Sequence, residues 1–294
     1  MKKISILTLS LILLGNVVRA EDSVALQSIN SKISAVQNSC SGIKSSLDTI
    51  FGLSVATTVS SGFGTVAAGG ALAVGIAKAK TDKKLEELEK LSSLELYEQA
   101  VSLENKMKEQ SALEKKSKTL GNVRTGLMAG ATVISAVSTG TSIGATLTAT
   151  KLAEKMARCN ADLQALKLAK AELEAEEGKS EKADAILAVC TGYDESNIKS
   201  LKSLATANTI VSGIGTATAG AGTVTSAMAN SKKVRADKSE KGRKKEKGLN
   251  LASNILAGVT IGTSGTSTAL SAVQISKAKK DSEMAEKCEV VLAE

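Results

Sequence analysis

The sequence predicts an all-α fold, and three observations carry that prediction. The 294 residues include no proline, the residue that helix interiors exclude most strictly. Only two Phe, two Tyr and no Trp occur, whereas strands draw on aromatic and β-branched residues. Where apolar residues recur regularly, they do so at steps of three and four, the period of a helix face. A core for such a chain must be built from Ala, Leu, Ile and Val at close range.

The N-terminus has the three parts of a cleaved secretory signal. Met1-Lys2-Lys3 is a basic start, Ile4 to Val18 is mostly apolar, and Val18-Arg19-Ala20 places small residues before Glu21-Asp22. Residues 1–20 are therefore expected to be removed, which lowers the formal charge from +8 to +5. The uncleaved alternative is an N-terminal anchor.

From Leu26 the apolar series is Leu26, Ile29, Ile33, Val36, Cys40, Ile43, Leu47 and Ile50. Alternating steps of three and four make this the seam of one coiled-coil-like helix. It enters an uncharged stretch, 49–77, rich in Gly, Ala, Ser, Thr and Val. A charged helix follows to about Lys118, with Leu94, Tyr97 and Val101 as an apolar stripe. The second uncharged stretch is 125–150, and Leu152, Met156, Cys159, Leu163, Leu166 and Leu173 continue at helical spacing to Gly178. Gly178-Lys179-Ser180-Glu181 is the expected linker.

The pattern then begins again. Ser61-Gly62-Phe63-Gly64-Thr65 recurs as Ser212-Gly213-Ile214-Gly215-Thr216 at an offset of 151, and Cys40-Ser41-Gly42 recurs as Cys190-Thr191-Gly192 at 150. Asn122 with Ala129-Gly130 is echoed by Asn250 with Ala257-Gly258 at an offset of 128. The shortening falls in the charged middle, reduced to Lys232–Lys247 in the second copy. We read two tandem homologous helical units, 21–178 and 179–294. Gly62, Gly64, Gly130, Gly213, Gly215 and Gly258 are the expected helix-packing or turn positions, in the manner of a glycine zipper.

The four cysteines, two per copy, are expected to form disulfides in an exported chain. All three connectivities respect the duplication. A single-copy ancestor needs an internal pair, which favours Cys40–Cys159 and Cys190–Cys288. Buried free thiols are the alternative. Zinc is disfavoured, because the chain has neither a CxxC spacing nor a histidine.

Four uncharged stretches (49–77, 125–150, 203–231, 248–276) are each 26 or 29 residues long. As helices they cover roughly 39 to 44 Å, enough for an apolar bilayer core of about 30 Å. The segments 78–124 and 232–247 carry +2 and +6, while the other three carry −1 each. A four-pass topology thus puts both basic segments on one side, as the positive-inside tendency requires, and all four cysteines on the other. The competing picture bends each stretch at its middle, at Ser60–Gly64, Ser138–Ser142, Gly213–Gly215 and Gly262–Gly265. Each copy then forms its own antiparallel four-helix bundle.

No acid–base or nucleophile constellation stands out, and no strand precedes the Gly-rich phrases, so no phosphate loop is complete. No catalytic residue, cofactor, metal, nucleic acid or small-molecule substrate is expected. Lys232, Lys233, Arg235, Arg243, Lys244 and Lys245 are candidates for anionic-lipid contact, against a solvated connector. The expected role is non-enzymatic, structural or interactive, at a cell-envelope membrane in the periplasm or its boundary. One alternative is a soluble periplasmic or secreted bundle that binds a protein partner. Another is a membrane-permeabilising protein that inserts small-residue hairpins. Expected partners are membrane lipid or a helical protein, with a homo-oligomer left open.

Overall fold

A computed structural model of the chain describes residues 24–94, 100–175, 178–192, 195–237 and 239–294, without the side chains of 91–103. The signal at 1–20 and Tyr97 lie outside the described residues, as do the side chains of Leu94 and Val101. Every element that is described is helical, as the missing prolines and sparse aromatics predict. The order is α1 (residues 24–40), α2 (Ile43–Leu94), α3 (Ala100–Ala175), α4 (Glu181–Cys190), α5 (Glu195–Ala229), α6 (Lys232–Ala236) and α7 (Glu240–Ala293).

The seam expected as one helix is two. Gly42 adopts φ +69°, a conformation open to glycine at little cost, and the chain turns there between α1 and α2. The Glu289 carboxylate accepts hydrogen bonds from the Gly42 and Lys44 backbone N–H groups, at 2.9 and 3.3 Å. It thereby meets donors that a helix start leaves open and complements the helix dipole. The heptad survives the break, for Ile29, Ile33, Val36, Cys40, Ile43, Leu47 and Ile50 are all buried. Leu26 is exposed. At the expected linker, Gly178 N–H returns to Leu173 O at 3.0 Å. Ser180 caps α4 by accepting from Ala183 N–H. The bends at mid-stretch are absent: all four proposed bending points lie in uninterrupted helix.

The chain divides into two compact units, neither of which coincides with a sequence half. The first comprises Met1–Gly52, Ala145–Ser203 and Gln274–Glu294; the second comprises Leu53–Gly144 and Leu204–Val273. Bundles made from one copy each are therefore not what forms.

The first unit has a conventional apolar interior. The α1–α2 seam joins Leu152, Met156, Leu163, Leu166, Ile186, Ile198, Leu201 and Leu292 in burial. Burial of each such side chain contributes about 1.5–3 kcal/mol. Cys40 is joined to Cys159 with Cα atoms 4.8 Å apart, and Cys190 to Cys288 at 5.0 Å. The favoured connectivity, Cys40–Cys159 and Cys190–Cys288, is thus the one the structure contains. Asp48 accepts from Ser282 Oγ at 2.5 Å, and Gln37 donates to Leu292 O at 2.6 Å, which sets α7 antiparallel to the α1–α2 segment.

The second unit is an antiparallel bundle of four long segments. Along this unit's part of α2 the buried positions are Ser54, Thr57, Ser61, Gly64, Ala68, Ala71, Gly75, Lys78 and Thr81, with steps of three and four alternating as far as Lys78. Ser61 meets Ser138, and seven residues on, Ala68 packs with Ala131 and Ala219. A rise of seven along α2 is matched by a fall of seven along α3. Thr132–Thr223 and Thr139–Thr216 repeat that relation between α3 and α5, and Asn208–Ser271 with Ser212–Ser267 between α5 and α7. This regular antiparallel meshing is bundle packing with short side chains.

The two disulfides close loops whose ends are 119 and 98 residues apart, for which chain-entropy reasoning gives about 4–5 kcal/mol each. Nonreducing peptide mapping is expected to recover Cys40 linked to Cys159 and Cys190 linked to Cys288. Reduction should lower the thermal midpoint of the purified protein. A Cys159–Cys190 peptide would contradict this connectivity.

Candidate functional site

The second unit has the polarity of its residues reversed. Toward its axis it turns Ser61, Ser138, Ser212, Ser267, Asn208, Lys78 and Arg124, all buried. Away from it stand Phe63, Val66, Val133, Ile210 and Leu251, between 59% and 73% exposed. Scattered exposed apolar residues are ordinary, but a buried polar interior combined with an apolar exterior is informative. Outer hydroxyls are met within their own helices: Thr65 donates to Ser61 O and Thr225 to Ala221 O, each at 3.0 Å.

The interior is layered. Ser61, Ser138, Ser212 and Ser267, one from each segment, form a closed hydroxyl ring at 2.7, 3.4, 2.9 and 3.0 Å around its edges. Asn208 extends it, accepting from Ser267 at 2.6 Å and donating to Ser271 at 2.7 Å. Two apolar layers follow, Ala68–Ala131–Ala219 and then Ala71–Met128–Ala257. Beyond them the Arg124 guanidinium donates to Asn250 Oδ1 and O at 3.2 Å and to Asn254 Oδ1 at 2.5 Å. Arg124 is 1% exposed, and among the described residues no carboxylate pairs with it. Lys78, equally buried, is neutralised by Asp82 at 2.5 Å and Glu246 at 3.0 Å. Ser117 donates to the other oxygen of Asp82.

Next to this layer lies a cavity of about 410 Å³, walled by Asp82, Glu114, Asn230, Arg235, Glu246 and Asn250 among others. Arg243 pairs with Glu89 at 2.8 Å and Lys247 with Glu86 at 2.6 Å. Of the six basic candidates, Arg235 is turned inward, donating to Asn230 and to Glu114 O, and Arg243 is held by Glu89. Lys232, Lys233, Lys244 and Lys245 are exposed. Between α6 and α7, Asp237 accepts from the Ser239 hydroxyl and backbone N–H, at 2.5 and 3.1 Å. These bonds hold its carboxyl below the ordinary value of 3.8.

All six glycines singled out from sequence have helical backbone, none a turn. Gly64 and Gly215 are buried in the bundle; Gly62, Gly130 and Gly213 are half-buried and Gly258 exposed. A Cβ on any of those last four would meet nothing within 4 Å. Close approaches between long helices occur at Gly75, Gly121 and Gly222, which sequence reasoning missed. A Cβ there would collide with Asn254, with Asn230 and with Met128 respectively. Their one signal was the continuation of the three–four spacing from Ser61, Ser138 and Ser212. Arg124 and Lys78 were also missed, because a cation at the edge of an uncharged stretch reads as its boundary.

No family model, curated protein or solved structure matches this chain.

Arg124→Lys should lower stability by about 1–3 kcal/mol, since one ammonium cannot satisfy three separated oxygens. Chemical denaturation would show it, and an unchanged midpoint would count against the network. Asp237 has a depressed folded pKa, so its contribution is present above pH 3.8 and lost as pH falls through the lower folded value. Carboxyl NMR titration should find Asp237 below its unstructured value, and Ser239→Ala should return it upward.

Proposed function

We propose that the protein is an exported, non-enzymatic membrane protein in which the uncharged stretches of the second unit lie in the bilayer as a four-helix bundle. The observation that carries this is the reversed polarity of that unit. In water, apolar side chains on the outside and hydroxyls within would forgo the main driving force of folding. In lipid the same arrangement is favourable. Apolar side chains face acyl chains, small residues let helices approach, and interior hydroxyls bond across helices. Val24–Lys90 and Glu104–Ala175 are long and apolar enough to cross a membrane, and only 28% of the most apolar window of each is buried.

The charge distribution supports a four-pass arrangement with the basic segments 78–124 and 232–247 on the inner side. The disulfides support placing the cysteine-bearing segments on the oxidising side. The first unit, with its apolar interior, suits water. Ser61 and Ser212, and likewise Ala68 and Ala219, are 151 residues apart and share core layers, which favours descent from a tandem duplication. The role we infer is structural or interactive at a cell-envelope membrane, with lipid as the first partner.

Alkaline extraction of the processed protein should leave it in the membrane pellet. Added protease should spare Lys232–Lys247 in intact spheroplasts and cut there after lysis. Release into the supernatant would defeat the membrane reading. Cleavage with the inner membrane intact would defeat the topology alone.

A further inference from the structure

Beside the serine ring of the second unit lies a small void of about 10 Å³. Hydroxyls surround it: the four ring serines, Ser135 and Ser264. The ring hydroxyls are engaged with one another, but Ser135 is not. Its side chain is 4% exposed, borders the void, and its Oγ has no hydrogen-bond partner. A buried hydroxyl in that condition is uncommon, because desolvation without a partner is unfavourable. Each hydroxyl offers one donor and two acceptor sites, so the ring retains capacity for a further partner.

Gly215 also lines the void, and the neighbouring position 64 is glycine too. A Cβ there would stand 3.4 Å from Ser264 Oγ and 3.6 Å from Ser135 Oγ, in the space between the two hydroxyls. We propose that this void is a binding site for a single water molecule, which joins Ser135 and Ser264 to the serine ring. Its volume is at the lower limit for one water, about 10–15 Å³, and too small for an organic ligand. The lining contains no carboxylate, so a bare cation would lose its hydration without an opposing charge. With water in place, a continuous hydrogen-bonded chain runs from Ser271 through Asn208, Ser267 and the ring to Ser135. It stops at Ala68, Ala131 and Ala219, which offer no donor or acceptor side chain. The water therefore terminates the polar segment of the core rather than forming part of a path through it. This inference goes beyond the membrane reading and does not depend on it.

The test uses the full processed protein, oxidised, in detergent micelles. Oxygen-17 magnetic relaxation dispersion counts long-lived internal waters. Ser135→Ala is expected to reduce that count by one, with helix content unchanged. Gly64→Ala should do the same by occupying the space, and a structure showing surface waters should place one within hydrogen-bond reach of Ser135 Oγ. An unchanged count in Ser135→Ala overturns the site, as does an empty void in such a structure. A cation at the position, detected by anomalous scattering after rubidium exchange, overturns the identity of the ligand. The membrane reading is decided separately by alkaline extraction.

Discussion

Four helices can approach through Ser, Ala and Gly only if nothing larger intrudes on the seam, and the second unit is organised by that restriction. Burying an alanine or serine removes little apolar surface from water, so area burial alone contributes far less here than in the first unit. Dispersion between closely spaced backbones and cross-helix hydroxyl bonds of about 1 kcal/mol net each take a larger share. Hence the importance of accounting for every interior donor. The ring of Ser61, Ser138, Ser212 and Ser267 closes on itself, and Lys78 is flanked by two carboxylates. Arg124 rests on amide and carbonyl oxygens alone.

The first unit solves the packing problem differently. Its interior uses Leu, Ile and Met, tolerates conventional separations, and is tied by two disulfides. A turn at Gly42, held by Glu289, interrupts its first seam without shifting the heptad. One chain thus carries two kinds of core, and each kind is compatible with a different solvent.

Legibility in the sequence followed hydropathy contrast. The α1–α2 seam alternates Ile, Val and Leu with polar residues, so its buried face could be read directly. The turn at Ser41-Gly42 and the exposure of Leu26 were passed over. Helical class and the cysteine pairing were legible from composition and symmetry. The interior of the second unit was not, because Ser, Ala and Gly occur on both its inner and outer faces. Hydropathy cannot separate Gly64, which is buried, from Gly62, which is half-buried two residues away. Only the geometric spacing distinguishes them, and that spacing becomes visible once one register is known. The assembly of each compact unit from both sequence halves was likewise hidden, since periodicity within a helix says nothing about which segments become neighbours.

The reversed polarity bears on how this chain can diverge over evolutionary time. Positions such as Ser61, Ala68 and Gly75 can interchange only among the smallest residues. Phe63, Val66 and Val133 can drift through any apolar side chain without touching the bundle interior. In the first unit the relation is inverted, with Leu and Ile held fixed and the surface free. An observer who equates invariant apolar positions with the core would therefore identify the correct face of α1 and of the start of α2, and the wrong face of α2 beyond Gly52. Among relatives, the outward apolar surface of the second unit would look variable and the helix-packing surface would look like a conserved linker composition.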